Sequence, residues 1–192
     1  MKTSYAVLLT LALPASLAAQ QPPANPITTV FRARTLALQR NIAQAFDSIP
    51  ERLFSYKPTP AQLTIGYIAQ HLVTDNTLFC NAFGEMKATQ AAEDTATADS
   101  VKAAWPKDRL VAQLKASFTF CENAFAQLDD AKLADQVTVT FRGQSRPLTR
   151  ATMVLGHVVD MADHYSQLAN YMRLNNLVPP TALPRPPART GQ

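Results

Sequence analysis

The chain has 192 residues and three histidines. Two of them, His157 and His164, lie in one stretch, 155–173, reading LGHVVDMADHYSQLANYMR. At about 100° per residue, His157, Asp160 and His164 fall within roughly 60° of one another on a helix. Met153, Leu168 and Tyr171 share that face. A stripe that should point into a core therefore carries two imidazoles and a carboxylate. Burying such groups is costly unless they meet partners or a metal ion. The third histidine, His71, sits on a second apolar-periodic segment. The simplest arrangement sets those two helices face to face.

Four segments show the spacing of long amphipathic helices: 27–48, 64–83, 107–128 and 148–174. Phe31, Leu38, Ile42 and Phe46 recur on the first. Tyr67, His71, Asp75 and Leu78 form a stripe on the second, widened by Ile68, Leu72 and Phe79, and Gly84 is placed to cap its end. Leu110, Leu114, Phe118, Cys121 and Phe125 mark the third. Between the second and third, 85–104 lacks an apolar period and reads as a loop with one short helix near 98–104. Before the fourth, Val137 to Phe141 alternates and is β-rich, and predicts a short strand or hairpin arm with Gly143 after it. Arg146-Pro147 then leads into the fourth helix, and Asn175-Asn176 ends it. The fold class this predicts is all-α, a four-helix bundle with a short β-like connector before the last helix.

The start of the chain, MKTSYAVLLTLALPASLAAQ, has one cation, a short apolar run and then small residues, the layout of a cleaved Sec-type signal peptide. Residues 1–20 are expected to be that signal, 21–26 a polar leader, 27–178 the bundle and 179–192 a Pro-rich tail. The mature protein is expected in the periplasm or secreted, with no membrane contact after cleavage. Removing Lys2, Arg185 and Arg189 from the 18 basic residues leaves 15 against 14 acidic ones. That near-neutral body has no basic patch by composition, so nucleic acid is not an expected partner. A small-molecule ligand is, and a homodimer stays open. In an oxidising compartment the two cysteines, Cys80 and Cys121, are expected to pair and staple two helices together.

At these residues the chain resembles the DinB/YfiT-like bundles. The second helix, TIGYIAQHLVTDN, looks like the segment that carries that family's first metal histidine. DMADHYSQLANYMRLNNLVPP is similar to its closing signature, with His164, Gln167, Tyr171, Met172, Arg173, Pro179 and Pro180 in the corresponding places. The resemblance spans roughly residues 27–180 and implies a metal held by one His on the second helix and two His four apart on the fourth. His71 and His164 stand in two of those places, and Asp160 stands where the other His would be. An Asp ligates zinc, nickel or manganese, so the implied set for a divalent ion is His71, Asp160 and His164. His157 is the rival third ligand. A pair seven residues apart is separated by about 10.5 Å along the axis, however, which favours Asp160. On that ranking His157 hydrogen-bonds Asp160 from behind, and Asp75 is a second candidate for such support.

The resemblance implies metal-dependent hydrolysis or thiol transfer, with no catalytic residue assignable. The other reading is a non-catalytic bundle that holds a metal or small ligand, or simply a hydrogen-bonded His/Asp core. No Ser-His-Asp spacing and no Gly-rich phosphate loop is present to suggest other chemistry.

Overall fold

All four periodic segments are helices in the computed structural model, which describes residues 24–141 and 143–184. They are α1 (Pro26–Ser48), α2 (Ile65–Phe83), α5 (Lys107–Ala126) and α6 (Arg150–Leu174), with α3 (Ala92–Ala96) and α4 (Asp99–Lys102) between α2 and α5. Local chemistry sets their ends. The hydroxyls of Thr64 and Thr149 accept from the amides of Tyr67 and Thr152, capping α2 and α6. Asn176, with φ of 58°, takes the left-handed conformation that stops α6. Gly84 does cap α2, but its φ of −84° is open to any residue. Glycine is needed there because a Cβ would lie 2.7 Å from the Cys80 carbonyl oxygen and 2.8 Å from the Ala124 Cβ.

The connector 84–106 holds two short helices where one was expected. Tertiary ion pairs explain the extra one. Arg109 on α5 reaches Glu93 at 3.0 Å and Asp94 at 3.1 Å, and so pins α3, which has no apolar stripe of its own. The β-rich stretch is one arm of a full hairpin, β1 (Gln136–Phe141) against β2 (Gln144–Thr149), which turns at Gly143 with φ of +77°. Arg146-Pro147 therefore lies inside β2, paired with Val139 and Thr138, rather than leading straight into the helix. A two-stranded ribbon leaves one side of β2 free, so a residue without an N–H is tolerated.

Contacts at the helix ends give the topology. The Asp130 carboxylate, just after α5, accepts from the amides of Ile27 and Thr28 at the start of α1. At the other end the Lys107 ammonium donates to the carbonyls of Asp47 and Ile49, so α5 begins where α1 finishes. The Arg150 guanidinium donates to the Phe83 carbonyl at 2.6 Å, so α6 begins where α2 finishes. Asn76 meets Ser117 and Cys80 meets Cys121, so α2 and α5 advance together and are parallel, and α1 and α6 run the other way. Joining the parallel pair α2 and α5 requires a crossover along the bundle, and the connector 84–106 supplies it.

The core has two sectors. One holds Ile42, Phe46, Ile68, Leu72, Leu114, Met161, Leu168 and Tyr171. The other, nearer the hairpin, holds Phe83, Phe125, Met153 and Val154 around a disulfide between Cys80 and Cys121, whose Cα atoms are 5.3 Å apart. That bond links α2 to α5, as the pairing of two cysteines on separate helices requires. Pro180–Ala182 forms a single turn against α1, held where the Tyr165 hydroxyl meets Thr181. Among the described residues no helix is long and apolar enough to cross a membrane. The expected signal segment, and the tail beyond residue 184, lie outside the described residues.

Candidate metal centre

Antiparallel packing of α2 on α6 sets like positions opposite one another in four-residue steps. His71 faces His164, with ring centroids 4.9 Å apart. One turn on, Asp75 faces Asp160, and a further turn on, Phe79 meets Gly156. A Cβ at Gly156 would lie 2.8 Å from the Phe79 ring, so glycine here lets Phe79 floor the space below the two carboxylates. Each helix carries a histidine and an aspartate four residues apart, one turn along the same face. His71 Nε2 lies 3.2 Å from Asp75 Oδ2, and His164 Nε2 lies 3.4 Å from Asp160 Oδ1.

One ligand atom from each of His71, Asp75, Asp160 and His164 lies within 4.8 Å of all the others. The structure thus brings together the three residues expected to bind metal and adds Asp75 to them. Asp75 is a member of the group rather than a support behind it. The signal for this is in the sequence: His71-x3-Asp75 on α2 mirrors Asp160-x3-His164 on α6. The side chains are partly open to solvent, from 29% for His71 to 7% for His164, so an ion or small molecule can reach them.

His157 goes elsewhere. It points into the core sector around the disulfide, fully buried, and neither ring nitrogen has a hydrogen-bond partner. The rings of Phe79, Phe83 and Phe125 each lie 6.0 Å from it. It neither replaces Asp160 nor hydrogen-bonds it, which corrects the supporting role expected above. The reason is distance along the helix: His157 is two turns before His164, beyond the Phe79–Gly156 contact. Burial pushes its pKa down to about 4, against a weak opposing pull from Asp160, so it is neutral at physiological pH.

The electrostatics of the four-residue group follow from crowding like groups in a half-buried seam. Burial and then the facing charge of Asp160 push the Asp75 carboxyl up to about 7. Burial and then His164 lower the His71 pKa, although Asp160 and Asp99 pull it upward. Burial acts against His164 too, but contact with Asp160 outweighs it and leaves that pKa raised. The Asp160 Oδ2 atom is buried with no hydrogen-bond partner. With both carboxyls deprotonated and both imidazoles neutral, the group would carry two negative charges, which a divalent cation would balance, and the unpartnered Asp160 Oδ2 has lone pairs free for it. The residues present therefore fit a divalent ion of the N/O-preferring kind. A separate cleft of about 210 Å³, lined by Gln70, Thr74, Thr77 and Gln113 beneath the connector, contains none of the four.

Comparison with known proteins places the fold. The family model for the DinB superfamily matches residues 34–168. A crystal structure of a DinB-like protein from Bacillus cereus has a TM-score of 0.60 at 18% identity, covering 78% of this chain and 93% of that one. Another, from Bacillus subtilis, has a TM-score of 0.56 at 15% identity, covering 77% and 92%. A mutant of a mycothiol-dependent maleylpyruvate isomerase has a TM-score of 0.59 at 10% identity, covering 73% of this chain and 60% of that one. At these identities the likeness is one of fold. No curated protein matches the sequence.

Proposed function

Because the chain belongs to the DinB superfamily, we propose that it is an exported bundle binding one divalent metal ion through His71, Asp160 and His164, with Asp75 completing the set, and that it acts as a metal-dependent hydrolase or transferase. The carrying observation is that four ligand atoms from two facing helices converge within 4.8 Å. When bound, such an ion supplies Lewis acidity, polarising an acceptor or activating water or a thiol. The protein's own residues hold and orient. Asp160 and His164, one turn apart on α6, fix one side of the centre, and His71 and Asp75 fix the other. Phe79 over Gly156 keeps the floor apolar. Zinc, nickel and manganese all suit an imidazole–carboxylate set. An exported chain meets little of the low-molecular-weight thiol that a cytoplasmic transferase would use, which favours hydrolysis.

Metal analysis of protein purified without chelator or a His-tag tests this. About one equivalent of zinc, nickel or manganese is expected, and His164→Ala should weaken binding by about 100-fold or more. Asp75→Asn should cost more than the roughly 10–100-fold loss typical of a residue that only supports the ligands. His157→Leu should leave affinity at this site unchanged. Affinity should fall as pH drops below about 7, because Asp75 must be ionised and the raised His164 imidazole neutral for both to ligate. A His164→Ala variant that keeps a full equivalent at unchanged affinity would rule the ligand set out.

A second reading has its own observation. Asp75 raised to about 7 beside Asp160 describes two carboxyls sharing a proton, a core that satisfies itself without metal. Wild-type protein that never takes up metal would establish this reading in place of the first. Export rests on the layout of residues 1–20, and a disulfide on the bundle is compatible with it. Intact mass of protein recovered from the periplasm or medium should lack Met1 to about Ala18. A mass that includes them removes the export reading.

A further inference from the structure

We infer that reduction of the Cys80–Cys121 bond unmasks a second metal site, in which the two thiolates and the His157 imidazole hold a soft divalent cation such as zinc. This site shares no residue with the four-residue centre and does not depend on the reading proposed for it.

The inference begins from an anomaly. His157 is fully buried, yet neither nitrogen has a partner. Buried polar groups in native proteins are nearly always satisfied, and a leucine would occupy the Phe79, Phe83 and Phe125 cage without stranding two polar atoms. What the imidazole does face is sulfur. One ligand atom from each of Cys80, Cys121 and His157 lies within 4.8 Å of the other two, and all three residues are fully buried. They come from three different helices, α2, α5 and α6, so tertiary packing rather than a local turn assembles them. While the sulfurs are bonded to each other they are poor ligands and weak acceptors, and His157 is left unpaired.

Reduction changes what the sulfurs offer. A dithiol reductant transfers two electrons and two protons to the S–S bond and is itself oxidised to a disulfide. The two protein thiols give up their protons to solvent as the cation binds. Two thiolates, a neutral imidazole and a divalent cation sum to zero charge, so the complex can sit in an apolar sector. Low-pH protonation of the imidazole is disfavoured there by the same burial. Two sulfurs and one nitrogen are a set that zinc accepts, whereas the His/Asp centre is harder. The two sites thus differ in the metal they prefer as well as in redox state.

Cobalt(II) tests this, because thiolate ligation gives a near-ultraviolet charge-transfer band that an imidazole–carboxylate centre does not. The whole chain is reduced with a dithiol, the dithiol is removed anaerobically, and cobalt is titrated in. The expected result is a thiolate band whose final intensity corresponds to one thiolate-bound cobalt per chain, two thiols protected from alkylation, and displacement of the band by zinc. The unreduced chain should show no band. His157→Leu, which keeps both thiols, should weaken binding by more than the roughly 10–100-fold cost of losing a mere supporting partner. A reduced chain that gives no band in excess cobalt overturns the inference, including one that unfolds and is not refolded by the ion. So does a His157→Leu variant that binds with unchanged affinity. Loss of metal from the His/Asp centre would leave the sulfur band unaltered, so the two proposals fail separately.

Discussion

Opening the Cys80–Cys121 disulfide should lower the unfolding free energy by about 4 kcal/mol. The bond closes a loop with a sequence separation of 41, and the chain-entropy relation for a loop of that size gives this value. Removing the cross-link frees the unfolded chain far more than it disturbs the folded one, because both cysteines remain buried between the same two helices. A single domain of this size has only about 5–15 kcal/mol in hand, so the loss is a large fraction of it. Urea unfolding of the oxidised chain against a Cys80→Ala/Cys121→Ala variant measures it, and the slope should steepen in the variant as the unfolded state expands. Thiol titration of the denatured, unreduced protein should find no free thiol. A stability difference under about 1 kcal/mol would show that the loop is already constrained in the unfolded state. If zinc restores stability to the reduced wild type but not to the double variant, the soft site is also at work.

The second large effect is acid sensitivity carried by His157. Its pKa is near 4 in the folded chain and about 6.5 when the chain unfolds. Above about pH 6.5 the imidazole is neutral in both states and favours neither. Between 6.5 and 4 only the unfolded chain binds the proton, so folding stability falls with pH, by about 3 kcal/mol in all. Asp75 acts in the opposite sense in the metal-free chain. Its folded pKa is raised above the ordinary carboxylate value, so as pH falls from 7 the folded state takes the proton first and gains stability. The two contributions overlap, and the wild-type profile alone hides both. The difference between wild type and His157→Leu isolates one of them. At pH 7 the two should agree to within about 1.5 kcal/mol, as a volume-conserving core exchange allows. By pH 4 the variant should have gained about 3 kcal/mol relative to wild type. A difference profile flat between pH 7 and 4 would mean that His157 charges freely and is not held in an apolar cage.

Asp75 and His157 mark the boundary of what the sequence can say about the site. Both stand one or two turns from a residue expected to ligate, and both were candidates for support behind the ligands. The structure sets Asp75 among His71, Asp160 and His164, and sets His157 beside the disulfide. Helical spacing supplies the angle of each side chain about its own axis, and by angle alone His157, Asp160 and His164 are equivalent. Height along the axis separates His157 from His164 and already favours Asp160, but which residue of the other helix stands at each height depends on how the two helices pack. Once α2 and α6 run antiparallel with His71 opposite His164, Asp75 must meet Asp160, and His157 falls below the Phe79–Gly156 contact.

The sequence by itself determined the four long helices, because apolar spacing and Asn or Gly stops act within a few residues of chain. It determined the His and Asp pairs four apart on two of those helices, and the pairing of its two cysteines. Tertiary structure decided the rest. The second short helix in the connector exists because Arg109 reaches across from α5, and the crossover exists because α2 and α5 are parallel. The register of α2 against α6 follows from side chains meeting across a seam between residues far apart in the chain. That long-range packing sets which carboxylate faces which imidazole, and which histidine is left beside the sulfurs without a partner.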